Sequence, residues 1–433
     1  MHTAIAAAIA VVSIVATPAF ANEAIKWNEL TVKALTSGGH NPVQLTRTVA
    51  MVQAAVHDAL NAIKPRYSTY YFEGSAATGA SAEAAIATVS HTVLVAVIPL
   101  FGNPQQHSEG LAALADGYGA ALAAIPDGPA KSSGIAVGKA AGEAIIALRA
   151  EDGATRSAPY TPANGPGRWR PHPNPDPPNP PIKDAKAAPG FAASILPGWG
   201  NVTPFTLLSA TQYWLPGPPA LTSDTYVRDF EEAKAVGGQA SKVRTLEQSE
   251  IARFWFEGPG TWYRVTRAAA VERKLDMTDS ARVLAAVSLA MADSYIAGFK
   301  IRYKYDFWRP VTAIREAADD GNDKTIADPT WNSFQNTPPV SDYPSTQSLF
   351  SGSAAAVLAG LFGSDQISFS FSSGPPFANI TRSFTSFSQA AKESADSRIY
   401  AGIHFRSACE DGLSLGRRVG QRVVAMYLRP LPN

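Results

Sequence analysis

The 433-residue chain reads as an all-α protein, and three observations carry that reading. Apolar residues recur at steps of three and four over long stretches, strand patterns of period two are scarce, and no internal repeat is present. In Arg47 to Ile63 (RTVAMVQAAVHDALNAI), Val49, Val52, Val56, Leu60 and Ile63 fall on one helical face. The stretches AAIATVSHTVLVAVIPLF and SSGIAVGKAAGEAIIALRA repeat the pattern, with Ala and Gly that permit close helix packing. From Thr222 onward helices return. TSDTYVRDFEEAKAVGG has an N-cap-like start and a Gly stop. RTLEQSEIARFWFEG and DSARVLAAVSLAMADSYIAGFKIRYKYDFW follow, then a helix capped by Ser345 that runs through Leu349, Ser353, Ala356 and Leu361, then a C-terminal helix pair.

Between the two helical regions, residues 159–221 hold 16 of the 33 prolines, and GRWRPHPNPDPPNPPIKDAK can be neither helix nor central strand. Trp169, Phe191, Trp199, Phe205, Tyr213 and Trp214 in this segment predict an ordered coat lying over the helices. The chain therefore divides into 1–21, an N-terminal helical region 22–158, the proline- and aromatic-rich segment 159–221 and a C-terminal helical region 222–433.

Hydrophobic residues make up 45% and charged residues 17%, a globular composition. Lys plus Arg (37) and Asp plus Glu (36) nearly cancel, which argues against nucleic acid or an anionic membrane as the main partner. An anion would have to be attracted by a few converging cations. Residues 1–21 (MHTAIAAAIAVVSIVATPAFA) end in Ala19-Phe20-Ala21, a small-x-small cleavage pattern, and read as a secretory leader that places the protein outside the cell or in the periplasm. No later segment offers about 18 uninterrupted apolar residues, so no membrane span is expected in the mature chain. Cys409 is the only cysteine, which excludes an intramolecular disulfide and a cysteine-rich metal site and suggests a buried free thiol. His57, inside an apolar helix, reads as a packed core histidine.

Three short stretches carry the chemistry. In RYKYDFWRPVTAIR, Arg302 and Arg309 are seven residues apart, two helical turns and nearly one face. Paired guanidiniums present planar donor forks suited to tetrahedral oxyanions, and the alternative is a solvated basic edge with Asp306 as partner. In DYPSTQSLF, the helix N-terminus after Ser345 offers free N–H groups and a positive dipole end, although an ordinary capped helix looks the same. In SRIYAGIHFRSACEDG, Arg398 and His404 are six apart; Gly402 permits a bend that brings them together, and Glu410 or Asp411 could orient the His404 ring.

Taken together, Arg302-x6-Arg309-Pro310, Pro344-Ser345 and Ser397-Arg398-x5-His404 resemble the tripartite signature shared by vanadium-dependent haloperoxidases and PAP2 acid phosphatases. FWRPVTAIR, RIYAGIHFRSACEDGLSLG, PGWGNVTPF, RTLEQSEIARFW and AAVHDALNAI look like the long bacterial haloperoxidase branch, and the resemblance extends from about Arg47 to Val419. It implies a pair of packed helical bundles. It also implies that Arg302, Arg309 and Arg398 bind the equatorial oxygens of vanadate or phosphate, aided by Ser345 and the backbone N–H of Thr346. His404 would be the axial ligand to vanadium, or the nucleophile of a phosphatase. The substrates implied are hydrogen peroxide with a halide or an organic acceptor.

The chain departs from the family at two of the three motifs. Arg302 replaces a lysine, keeping the charge and changing the donor geometry; Lys300 and Lys304 flank it but point elsewhere. Pro-Ser-Gly-His becomes Pro344-Ser345-Thr346-Gln347, which puts a Cβ at Thr346 and replaces the acid–base histidine with Gln347, an amide that can hydrogen-bond but not titrate. Asp342 and Asp306 are candidate substitute bases. Three readings follow: a haloperoxidase-like enzyme with Gln347 and His404 at its centre, a phospho-histidine phosphatase, and a catalytically weakened oxyanion binder.

Overall fold

The computed structural model describes residues 22–180 and 195–432; the leader read at 1–21 and Phe191 of the coat lie outside the described residues. The N-terminal helices are α1 (Glu23–Ser37), α2 (Pro42–Ile63), α3 (Ala82–Val97), α4 (Pro104–Ala123) and α5 (Pro129–Arg149). Side-chain caps start four of them: Asn22, Asn41, Ser81 and Asn103 each accept a backbone N–H of the first turn. The glycines of α5 let it lie against α3, and a Cβ on Gly138 would stand 2.5 Å from the Ala85 carbonyl.

The second group holds α6 (Asp224–Gly237), α7 (Leu246–Phe254), α8 (Pro259–Glu272), α9 (Met277–Tyr305), α10 (Pro310–Arg315), α11 (Thr346–Phe362), α12 (Phe387–Tyr400) and α13 (Arg406–Met426). The 29-residue α9 is the spine. It packs on α2 on one side and on α11 and α13 on the other, so the two helix groups share it. The fold is all-α and bundled, as the periodicity indicates. The sheet among the described residues is one hairpin, β1 (Phe369–Ser372) antiparallel to β2 (Thr381–Phe384), whose four-residue strands are too short for a periodic pattern to reveal.

By length and composition, Ala82–Leu100 and Met277–Tyr305 are apolar enough to cross a membrane, more than the sequence reading allowed for. The most apolar window of α9 is 94% buried within the protein, which marks it as a core helix. His57 is fully buried between Asp58 and Asn61, and Cys409 is buried with its thiol pushed up to about 12 by desolvation.

The described part of the proline-rich segment contains no α-helix, yet it is pinned. Trp169, Trp199 and Phe205 are buried, whereas Trp214 is 39% exposed. The N–H groups of Phe205, Thr206 and Leu207 and the Thr206 hydroxyl all donate to the buried Asp293 carboxylate of α9, at 2.5–2.9 Å. Trp169 N–H donates to the Asp306 carbonyl (2.8 Å), and Trp308 N–H to the Gly167 carbonyl (3.1 Å). The coat thus grips the last turns of α9 and the strand-like run that follows it.

Candidate active site

Three backbone devices bring the site together. At the first, α9 ends when Asp306 adopts the left-handed conformation (φ 51), and Phe307 to Arg309 run extended before Pro310 opens α10. Arg302 and Arg309 therefore do not share one helical face, as their spacing had suggested. They meet because the chain turns back, and the residue before a proline is held extended. Asp306 is not their partner either; it accepts a hydrogen bond from Tyr160 (2.7 Å).

At the second, Ser345 caps α11 as expected, accepting from Ser348 N–H (3.3 Å), while its own N–H donates to the Ala408 carbonyl (2.9 Å). Ser345 is fully buried behind the cavity wall, and Thr346 and Gln347 form the wall itself. The branched Thr346 fits because α9 has a glycine opposite: a Cβ on Gly298 would fall 2.9 Å from Thr346 Cγ2.

The third device is the turn between α12 and α13. Gly402 has φ 75, and a Cβ there would lie 2.1 Å from the Gly237 carbonyl, so only glycine fits. This turn aims Arg398 and His404 into the same cavity, as the sequence foresaw.

That cavity has a volume of about 930 Å³. Its deep end is formed by Arg302, Arg309, Arg398, His404, Thr346 and Gln347, and its walls by Tyr295, Phe299, Phe350 and the Pro338-Pro339 pair. Arg309 donates through Nε to the Val340 carbonyl (2.6 Å) and through Nη1 to the Ile403 carbonyl (2.6 Å) and His404 Nε2 (2.9 Å). Arg302 donates through Nε to the Pro344 carbonyl (2.9 Å), and its Nη2 lies 3.5 Å from His404 Nε2. Arg309 Nη2 and Arg398 Nε and Nη1 are buried with no partner among the described residues. Burial lowers Arg302 and Arg398 to about 10 and Arg309 well below the usual guanidinium range, but a guanidinium keeps its proton in a protein, so all three remain cationic donors.

His404 lies between Arg309 and Asp342. Its Nδ1 edge faces Asp342, whose Oδ1 is 2.8 Å away and off the N–H axis. Burial, then the charges of Arg309, Arg302 and Arg398, hold the ring well below the usual imidazole range, so it is neutral. Arg309 can only donate, so Nε2 is the bare nitrogen and the hydrogen sits on Nδ1 toward Asp342. Asp342 itself is pushed up to about 7 by burial, against the pull of Arg309 and Arg302. Neither Glu410 nor Asp411 orients the ring: Asp411 accepts from Tyr343 (2.5 Å) and Glu410 faces Arg406 (3.7 Å). Sequence spacing gave no signal for Asp342 in this role, because the contact is made across two separate elements. Trp255 was likewise missed; its carbonyl accepts from Gln347 Nε2 (2.8 Å).

The set suits an oxyanion and not a bare cation. Three arginines would repel a metal ion, and no cluster of three His, Cys, Asp or Glu that could hold one occurs among the described residues. Unspent guanidinium N–H groups, an unprotonated imidazole nitrogen and a helix N-terminus instead make a donor set suited to a tetrahedral anion such as vanadate or phosphate.

Fold and site together define an all-α bundle protein with an arginine-lined pocket whose donors suit an oxyanion. The description "Vanadium chloroperoxidase N-terminal domain" matches residues 19–187, and "VCPO second helical-bundle domain" matches residues 282–432. The chain belongs to the vanadium haloperoxidase family. A vanadium chloroperoxidase from Curvularia inaequalis is 27% identical over 191 residues, which span 36% of this chain and 30% of that relative. The crystal structure of the first bacterial vanadium-dependent iodoperoxidase superposes with a TM-score of 0.76 at 24% identity, covering 95% of this chain and 97% of that one. The holo form of a bacterial vanadium-dependent chloroperoxidase superposes with a TM-score of 0.69 at 17% identity, covering 90% and 94%.

Proposed function

We propose that the chain is an exported vanadate-dependent haloperoxidase-like enzyme, acting with hydrogen peroxide on a halide or an organic acceptor. The observation that supports this reading most is the convergence of Arg302, Arg309, Arg398 and the bare Nε2 of His404 on one buried cavity end, with three guanidinium nitrogens unspent. Arg309, Arg398 and Arg302 would hold the oxygens of the anion, and His404 Nε2 would be the nitrogen that ligates it. Thr346 contributes its N–H from the first turn of α11, and Ser345 supports this as the cap that sets that turn. Vanadate bound there supplies a Lewis-acid centre that activates peroxide for transfer of an oxygen to the acceptor. The chain's own part is to bind the anion, keep His404 Nε2 unprotonated through the Arg309 N–H that faces it, and exclude water.

The phosphatase reading is weaker in this site. A phospho-histidine route needs a proton for the departing alkoxide, and Gln347, where the acid would stand, has none to give. Calorimetric titration of the purified mature protein with vanadate, followed by a bromide-plus-peroxide halogenation assay on the same sample, tests the proposal. One-to-one binding with turnover is the expected result. Binding without turnover on any halide would move the search to organic acceptors, and no vanadate binding would sink the proposal.

A further inference from the structure

Gln347 has two polar ends, and its surroundings decide which of them meets the anion. Its Nε2 lies 2.8 Å from the Trp255 carbonyl, an atom that can only accept, so that end of the amide is the nitrogen. The second N–H lies on the Ser394 hydroxyl at 3.4 Å. A pair of serines and a tryptophan stand behind it. Trp262 Nε1, which can only donate, is 2.7 Å from Ser351 Oγ, and Ser351 Oγ is 2.9 Å from Ser394 Oγ. Either serine can donate in that pair, and in both cases Ser394 Oγ keeps a lone pair that accepts from the amide N–H. Both Gln347 hydrogens are spent away from the cavity. Its Oε1 has no partner among the described residues and is not among the buried unsatisfied atoms, although the side chain lines the cavity.

We infer that Gln347 is locked as a hydrogen-bond acceptor toward the oxyanion, so that the site selects tetrahedral anions that carry a hydroxyl over fully deprotonated ones. This rests on the oxyanion-site reading above and deepens it. A histidine at this position can donate or accept as its protonation changes, whereas the locked amide presents a lone pair at every pH. A hydroxyl of hydrogen vanadate or hydrogen phosphate, or the O–H of hydrogen peroxide, can donate to it. Sulfate or selenate brings only oxygen lone pairs and meets Oε1 as an unfavourable contact. Gln347 is thus a specificity-determining residue, and the proton the pocket recognises comes with the anion.

Phosphate and sulfate binding to the full mature protein at pH 7, measured by calorimetry, test this. Phosphate carries at least one hydroxyl at that pH and sulfate none. Wild type is expected to prefer phosphate by about tenfold or more, and arsenate over selenate by a similar factor, a comparison that needs no variant. In Gln347→Met, which keeps the side-chain length and removes the acceptor, the preference should fall toward unity through tighter sulfate binding. Binding of both anions with no preference in wild type, or a preference that persists unchanged in Gln347→Met, would overturn the inference and leave the oxyanion site standing. Binding of neither anion and of no vanadate would remove both together.

Discussion

At the scale of the residue, function depends on which atoms of His404, Asp342 and Gln347 face the cavity. His404→Ala removes the nitrogen that Arg309 and Arg302 now point toward, and vanadate binding by calorimetry should fall below detection; retained tight binding would mean that the arginines alone hold the anion. Gln347→His restores a group that titrates near neutral pH, and halogenation should rise at least tenfold. No gain would show that Thr346 or Arg302 has reshaped the pocket beyond rescue. The carboxyl of Asp342, raised to about 7 and only 3.9 Å from Arg309, sets a pH dependence. Below that value it is neutral and the arginines face an incoming anion at full strength; above it, its negative charge opposes one. Sulfate keeps its charge over this range, so its affinity should decline as pH rises through about 7, and in Asp342→Asn the decline should vanish. A step that survives in Asp342→Asn would assign the titration elsewhere. Much of this set was legible in the sequence because motif residues fixed the arginines and His404. Asp342 was visible only as a candidate base, because its contact with Nδ1 depends on where two distant segments meet.

At the scale of the element, the site is assembled by breaks in helices. The Ser345 cap and the Gly402 bend could be read from the sequence, since each is a residue type with one strong local preference. The end of α9 could not. Asp306 in the left-handed region is a single-residue event with no glycine to announce it, so the helical spacing of Arg302 and Arg309 was misleading. The hairpin of β1 and β2 escaped for the related reason that four residues cannot display a period. Gly402 offers the sharpest test at this scale. Gly402→Ala forces a Cβ against the Gly237 carbonyl at positive φ, and the backbone term alone costs about 1–3 kcal/mol. Urea unfolding should show a lowered midpoint, and vanadate affinity should drop with it because Arg398 and His404 flank the turn. Wild-type stability in the alanine variant would mean that the turn has room to relax.

At the scale of the whole molecule, the proline-rich coat belongs to the active site without lining most of it. It touches α9 at three heights: Asp293 takes three coat N–H groups, Gly200 packs on the Lys300 backbone, and Asp306 accepts from Trp169 N–H. Arg302 stands between the second and third of these contacts. A helix end clamped on both sides of Arg302 keeps that guanidinium on the Pro344 carbonyl, which in turn fixes its reach toward His404. The sequence announced an ordered coat through its aromatics. It gave no sign of the clamp, because a buried aspartate in an apolar helix reads like any polar interruption until its partners are placed. Asp293→Ala should therefore do two things at once. It strands three buried N–H groups at about 1–3 kcal/mol each, lowering the unfolding midpoint and opening residues 195–221 to protease. It should also weaken vanadate binding although Asp293 does not line the cavity. Asp293→Asn, which keeps one accepting oxygen, should fall between the two. Loss of stability with unchanged vanadate affinity would show that the coat holds the fold together and leaves Arg302 to be placed by α9 alone.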